Sequence, residues 1–172
     1  MGPRRPPDHE PPDDIERTLG LPPDERTLRF DPAQPDTIRA FPEIAHTLGV
    51  PAGADVFVRR WEDMRGERVL ALMTAYVPWD VANAAGLAQT TIGPAMYVAL
   101  ADRGYPVVRV TEEVQARMPT AAETTALNIS DGVPVMSVQR VSYTADDQPI
   151  AVSVSVMSAA RYRLVYELQA DD

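Results

Sequence analysis

Polar and apolar side chains alternate in several separate stretches of this chain, with helical patterns and turn signals between them. Arg26-Thr27-Leu28-Arg29-Phe30 has the period of two that a half-buried strand requires and predicts the first strand. Pro42 near the start of the next segment and Gly49 at its end predict a helix between them, because proline suits a first helical turn and glycine a left-handed cap. Val56 to Asp63 and Val69 to Val77 then read as a hairpin turning at Met64-Arg65-Gly66-Glu67. Pro78, which lacks an amide hydrogen, stops that ladder. Val81 to Ala88 predicts a short helix. Pro94 to Arg103, closed by Gly104, predicts a longer one with Met96, Tyr97 and Leu100 on one side.

The second half has the same character. Val107 to Met118 alternates as a strand, and Thr120-Ala121-Ala122-Glu123 has the form of a capping box that opens a helix. A second hairpin runs from Val135 to Thr144, turns at Ala145-Asp146-Asp147-Gln148 and returns through Ile150 to Met157; Arg161 to Leu168 completes the set. Hairpins mixed with helices predict an α+β fold, a mostly antiparallel sheet flanked by helices. The two hairpins also read as an internal pseudo-repeat, each preceded by a helix, a tight turn and a glycine. Leu48 corresponds to Leu127 and Gly53 to Gly132. After one inserted residue in the second copy, Val58 corresponds to Val138, Arg60 to Arg140 and Leu72 to Val152.

Composition narrows the picture. Residues 1–24 hold seven prolines among charged side chains, too little apolar surface to order themselves, and read as a disordered tail or linker before a single domain at 25–172. The net charge of −9 argues against a grip on a phosphate backbone, which is mainly cationic neutralisation. No apolar run approaches the roughly 20 residues of a membrane span and no apolar leader is present, so a cytoplasmic protein is the expectation.

With no cysteine, thiolate nucleophiles, disulfides and thiolate metal sites are excluded. All 16 basic residues are arginine, which removes Schiff-base chemistry and leaves the bidentate guanidinium fork as the strong cation. His9 lies in the tail and His46 on a helix, so a Ser-His-Asp site would rest on one histidine. No catalytic set, metal site or cofactor is read from these residues.

Several motifs then fall into one order. Leu48-Gly49-Val50-Pro51 with Gly53, Ala95-Met96-Tyr97-Val98-Ala99-Leu100, Gly132 through Tyr143, Asp147-Gln148-Pro149-Ile150 and Arg161-Tyr162-Arg163 resemble the signature of UTRA domains. These are the effector-sensing halves of HutC-subfamily GntR transcriptional regulators. The resemblance covers roughly residues 26 to 170. It implies a chorismate-lyase-like fold, a small-molecule metabolite as effector, a homodimer, and contact with DNA only through a winged-helix domain that this chain lacks. It also shows departures: Glu62 and Leu72-Met73-Thr74 stand where sugar-phosphate sensors carry a second arginine and an acid, and Ala151, Met157 and Ser158-Ala159-Ala160 replace further polar positions. A flatter or more apolar ligand than a sugar phosphate is implied.

Arg60 shares a strand face with Val56 and Val58, Arg140 with Met136 and Val138, and Glu112 with Val108, Val110 and Val114. A guanidinium among apolar neighbours needs a counter-charge. Glu112 is the candidate, either within an anion or polar-ligand site with Arg60 or as a structural ion pair. Arg109 falls on the opposite face of its strand and is read either as solvated or as lining a cleft beneath the helix of Tyr97. Tyr97 matches a family position near ligand. Ser153 and Ser155 alternate against valines and leave room for a guest or a close-packed helix. Thr74, Tyr76 and Arg161 complete the ligand-binding set, and Trp61 and Trp79 could floor it. The leading function is an effector-sensing domain that does not bind DNA by itself. The alternative is a free-standing lyase or cyclase on the same fold, with Glu112 as acid–base.

Overall fold

The computed structural model describes residues 27–30, 36–89 and 94–166. The two hairpins are its backbone. In chain order the elements are β1 (Thr27–Phe30), β2 (Asp36–Arg39), α1 (Pro42–Leu48), β3 (Asp55–Arg65), β4 (Arg68–Pro78), α2 (Trp79–Ala84), a 3-10 turn (Leu87–Gln89), α3 (Pro94–Asp102), β5 (Arg109–Arg117), α4 (Ala121–Leu127), β6 (Val135–Tyr143) and β7 (Pro149–Ser158). The strands form one sheet in the order β1-β3-β4-β7-β6-β5, with β2 also on β3, and every pairing is antiparallel. This is the expected α+β fold. No helix among the described residues is long and apolar enough to cross a membrane.

Departures from the sequence pattern have local causes. β2, four residues long, gave no alternation strong enough to announce it. The helix expected over Val81 to Ala88 starts at Trp79 and stops at Ala84, because Gly86 takes a left-handed φ of 65° and the chain resumes as a 3-10 turn. Arg161 falls in a turn and 162–166 is neither helix nor strand; residues 167 and 168, like the expected tail at 1–24, lie outside the described residues.

Burial divides the helices between the two faces of the sheet. On one face, Phe57, Trp61, Ala75, Val77, Ile150 and Ala151 meet Val81, Ala82 and Leu87 and, from α3, Met96 and Leu100. On the other, α1 buries Ile44, Ala45 and Leu48 against Val56, Val141 and Val152, and α4 sets Leu127, with Ile129, against Val135 and Val156. Each fully buried side chain of this size stabilises the fold by about 1.5–3 kcal/mol. α1 lies over β7 and α4 over β4, so each helix covers the inner strand of the other hairpin.

Both covering helices end in left-handed caps, Gly49 at φ 65° and Asn128 at φ 46°. The paired positions Arg60 and Arg140, however, occupy opposite faces of the sheet: Arg60 stands in one row with Thr74, and Arg140 in the adjacent-face row with Ser153. That correspondence does not hold in space.

α4 starts with the expected capping box, Thr120 Oγ1 accepting from the Glu123 amide and Glu123 accepting from the Thr120 amide. Arg117 clamps the same carboxylate through two bonds of 2.7 Å. Arg117, then the Thr120 amide, hold the Glu123 carboxyl down to about 2 although burial opposes them. Stability from this group is therefore full above its ordinary value of 4.5 and is lost as pH falls toward 2. Glu123→Gln should destabilise the protein at neutral pH, and its gap to the parent in urea midpoint should narrow steadily as pH is lowered through that window. A pH-independent gap would contradict the assignment. Thr120→Ala should cost about 1 kcal/mol in the same assay.

Candidate functional site

The face under α2 and α3 carries small residues where a sheet normally offers bulk. Reading across the strands, one row is Arg59, Ala75, Ser153, Arg140 and Glu112; the next is Trp61, Met73, Ser155, Val138 and Val114. Ala71 and Ala151 extend the low ground on either side, both fully buried. With neighbouring strands about 4.8 Å apart, the Cα atoms of Arg59 and Arg140 are separated by about 14 Å, with only a methyl and a hydroxymethyl group between them. Ser153 and Ser155 are half-buried, and neither hydroxyl has a hydrogen-bond partner among the described residues.

One end of this trough is ionic. Arg140 donates from Nε and Nη2 to Glu112 Oε1 at 2.7 and 2.6 Å, both side chains being nearly buried. Glu112 Oε2 accepts from the Tyr166 hydroxyl at 2.9 Å. Burial first, then the bond to Glu112, push the Tyr166 hydroxyl above its ordinary pKa. The carboxylate thus has both oxygens engaged, and the arginine is oriented along the strand row. Tyr97, on α3, brings its hydroxyl to 3.4 Å from Ser142 Oγ, a buried group on β6.

The other end is Arg59, 8% exposed. Its Nη2 donates to the carbonyls of Leu87 and Ala88 at 3.2 and 3.4 Å, which ties the 3-10 turn down to the sheet, and its guanidinium carbon lies 5.6 Å from the Phe57 ring centroid. Burial lowers its pKa. Asp63, 1% exposed, stands on the same face four residues along β3.

Of the side chains singled out from the sequence, Tyr97, Glu112, Arg140, Ser153 and Ser155 come together here. Arg60, Thr74 and Tyr76 do not: they lie on the α1–α4 face, where Arg60 and Thr74 are cross-strand partners and burial raises the Tyr76 hydroxyl while Arg60 pulls it down. The pairing of Arg60 with Glu112 is therefore overturned. A one-residue step along a strand reverses the face, so it is Arg59 that shares theirs. Arg109 does not reach beneath Tyr97. It sits on the α1–α4 face, ion-paired with Asp147 and stacked 3.7 Å from the Tyr143 ring centroid. Arg161 caps α4, donating to the Leu127 and Asn128 carbonyls at 3.0 and 2.7 Å. Trp61 joins the core beside the trough, and Trp79 is 42% exposed.

The sequence reading missed Arg59, Asp63, Ser142 and Tyr166. Alternation with Phe57 and Trp61 could have found the first two, and alternation with Val138 and Arg140 could have found Ser142; nothing in sequence marks Tyr166. Among the described residues, no three His, Asp or Glu side chains converge as metal ligands.

Removing one partner of a nearly buried ion pair strands the other charge. Arg140→Met and Glu112→Leu should each destabilise the protein by about 3 kcal/mol, and the double variant should recover most of that loss. Urea denaturation of the four proteins measures it; additive losses would contradict a coupled pair.

Comparison with known proteins follows this geometry. The UTRA domain model matches residues 34–163. An HTH-type transcriptional regulator of Mycobacterium tuberculosis is 33% identical over 125 residues, 70% of this chain and 45% of the relative. An uncharacterized HTH-type transcriptional regulator of Streptomyces coelicolor is 28% identical over 139 residues, 78% of this chain and 52% of the relative. The chain thus spans about half the length of these curated relatives. Among solved structures, the effector domain of PhnF from Mycobacterium smegmatis superposes with a TM-score of 0.71 at 22% identity, covering 84% of this chain and 88% of that one. The C-terminal domain of the histidine utilization repressor from Pseudomonas syringae pv. tomato gives 0.70 at 19%, covering 84% and 99%. These two likenesses establish the fold, and the match over residues 34–163 establishes the family. The chain belongs to the UTRA domain family.

Proposed function

We propose that this chain is the small-molecule effector-sensing part of a GntR/HutC-type transcriptional regulator and does not bind DNA by itself. The observation that carries the reading is the pair of half-exposed hydroxyls, Ser153 and Ser155, in rows floored by buried Ala75 and Met73 and set between Arg59 and the Arg140–Glu112 pair. Two unpartnered, half-exposed hydroxyls beside an oriented guanidinium are suited to a compact metabolite with one polar end. Because Glu112 already balances Arg140, a dianionic phosphate gains less there than a carboxylate, hydroxyl or amide does. Trp61 and Met73 offer an apolar wall to the remainder of such a guest.

Two of the solved neighbours, an effector domain and the C-terminal domain of a repressor, support the same reading. DNA contact then belongs to a separate winged-helix domain, and the proposed setting is the cytoplasm. The enzyme alternative is not favoured. Glu112, its acid–base candidate, has both oxygens engaged by Arg140 and Tyr166 and presents neither freely to a substrate.

A thermal-shift screen of carboxylated, hydroxylated and amide metabolites, followed by calorimetric titration, tests the proposal. One chemical class should raise the melting temperature and bind saturably without turnover. Ser153→Leu, which fills the trough, should abolish binding with little change in the melting temperature of the free protein. Turnover of the bound compound, or tight binding of duplex DNA by this chain alone, would contradict the proposal.

A further inference from the structure

The segment that follows β7 forms no regular element, yet it alternates. After Ser158 the chain turns, the Tyr162 amide donating to the Ser158 carbonyl at 3.2 Å, and Arg161 pins this turn to the end of α4. Beyond it Tyr162 and Leu164 pack onto the sheet and are half-buried, whereas Arg163 and Val165 are exposed. Tyr166 then delivers its hydroxyl to Glu112. Residues 162–166 are thus a strap across the α2–α3 face, anchored at its start by backbone and arginine bonds and latched at its end by one side-chain bond. From Arg163 to Tyr166 it makes no backbone–backbone hydrogen bond among the described residues. A segment held this way belongs to the least stable part of a fold.

The ground beneath the strap is suited to a guest. Tyr162 and Leu164 lie on Ala71, Val138 and Met157, with Met73 and Met136 beside them. Ala71, Met157 and Met136 stand in one row of the sheet, and the adjoining row holds Met73, Ser155 and Val138. The covered ground therefore continues the face of Ser153 and Ser155, one row being about 7 Å from the next along each strand. Three of these five residues are methionine, an unbranched, polarisable side chain that refits itself to apolar partners of different shape. The opposite face of the same strands is built instead from Leu72, Val152 and Val156, which suit a fixed partner.

The strap also shows what would replace it: two apolar side chains on the methionines and a phenolic hydroxyl donating to Glu112 Oε2. We propose that the strap is a built-in competitor, and that Ala71, Val138 and the three methionines form a second, apolar compartment of the effector site, opened when a guest with an apolar body and a hydroxyl donor takes the strap's place. The identity of the natural guest rests on the ligand reading above; the latch and the covered compartment do not. Because such a guest binds only the open form, its apparent affinity scales with the fraction of chains whose strap is unlatched.

The probe is 4-pentylphenol, which carries both chemical features. In methyl NMR of the full chain labelled at methionine, it should shift Met136 and Met157 and leave Met96, on α3, in place. Trypsin should cut after Arg163 at least about threefold faster with the probe saturating, since proteolysis follows the open population. Tyr166→Phe removes only the hydroxyl. It should speed the same cut in the free chain and tighten the probe, each by about three- to tenfold, while the circular dichroism spectrum stays that of the parent. A probe that leaves Met136 and Met157 unmoved, a cut that slows when the probe binds, or a Tyr166→Phe chain that binds it no more tightly would overturn the proposal. If the strap behaves as stated and no metabolite of the thermal-shift screen binds, the proposal stands and the ligand reading alone fails.

Discussion

A strand covered on both faces can spare no position for an unpaired polar group, and the junction of β4 with β7 at the centre of this sheet is such a place. On the α1–α4 side the junction is largely apolar, with Leu72, Val152, Val154 and Val156 beside Thr74 and Tyr76. On the α2–α3 side it offers Ala71, Ala75, Ser153 and Ser155 in adjoining rows. Helices over that second side bury Ala75 and Ala151 together with Phe57, Val77 and Ile150, and leave Ser153 and Ser155 half-exposed. The position of the candidate site follows from this asymmetry between two faces of the same two strands.

Arginine then does structural work that lysine could not. Its planar fork reaches backbone carbonyls at the ends of short helices and turns: Arg59 at Leu87 and Ala88, Arg103 at Ala84, Arg161 at Leu127 and Asn128. Those carbonyls are the groups a helix leaves unsatisfied at its C-terminus. In a chain with no lysine, arginine thereby satisfies the C-terminal carbonyls of α2, of the 3-10 turn and of α4, while apolar burial docks the helices on the sheet. The same chemistry commits Arg59, Arg103 and Arg161 to backbone carbonyls, whereas Arg140 is held along a strand row by one carboxylate beside Ser153.

Much of the fold was legible because period-two alternation, a Pro-in and Gly-out helix and a capping box are local signals, and the strands and helices they mark lie within a few residues of expectation. The site was legible only in part. Alternation identifies which residues share a face within one strand, and it correctly set Arg140 and Glu112 among apolar neighbours; it does not say which face of one strand continues into which face of the next. Arg60 was assigned with Glu112 for that reason, while Arg59, one position away, stands in their row. Tyr166 was out of reach altogether, since its bond to Glu112 joins residues 54 positions apart through a segment with no regular structure.

The central claim is that the guest occupies the α2–α3 face rather than the α1–α4 face, and amide and arginine side-chain NMR of the chain saturated with its tightest-binding metabolite tests it most directly. Shifts should concentrate at Ser153, Ser155, Tyr97 and the Arg140 Nε resonance. Shifts concentrated at Arg60, Thr74 and Tyr76, with the Ser153 row unmoved, would contradict it.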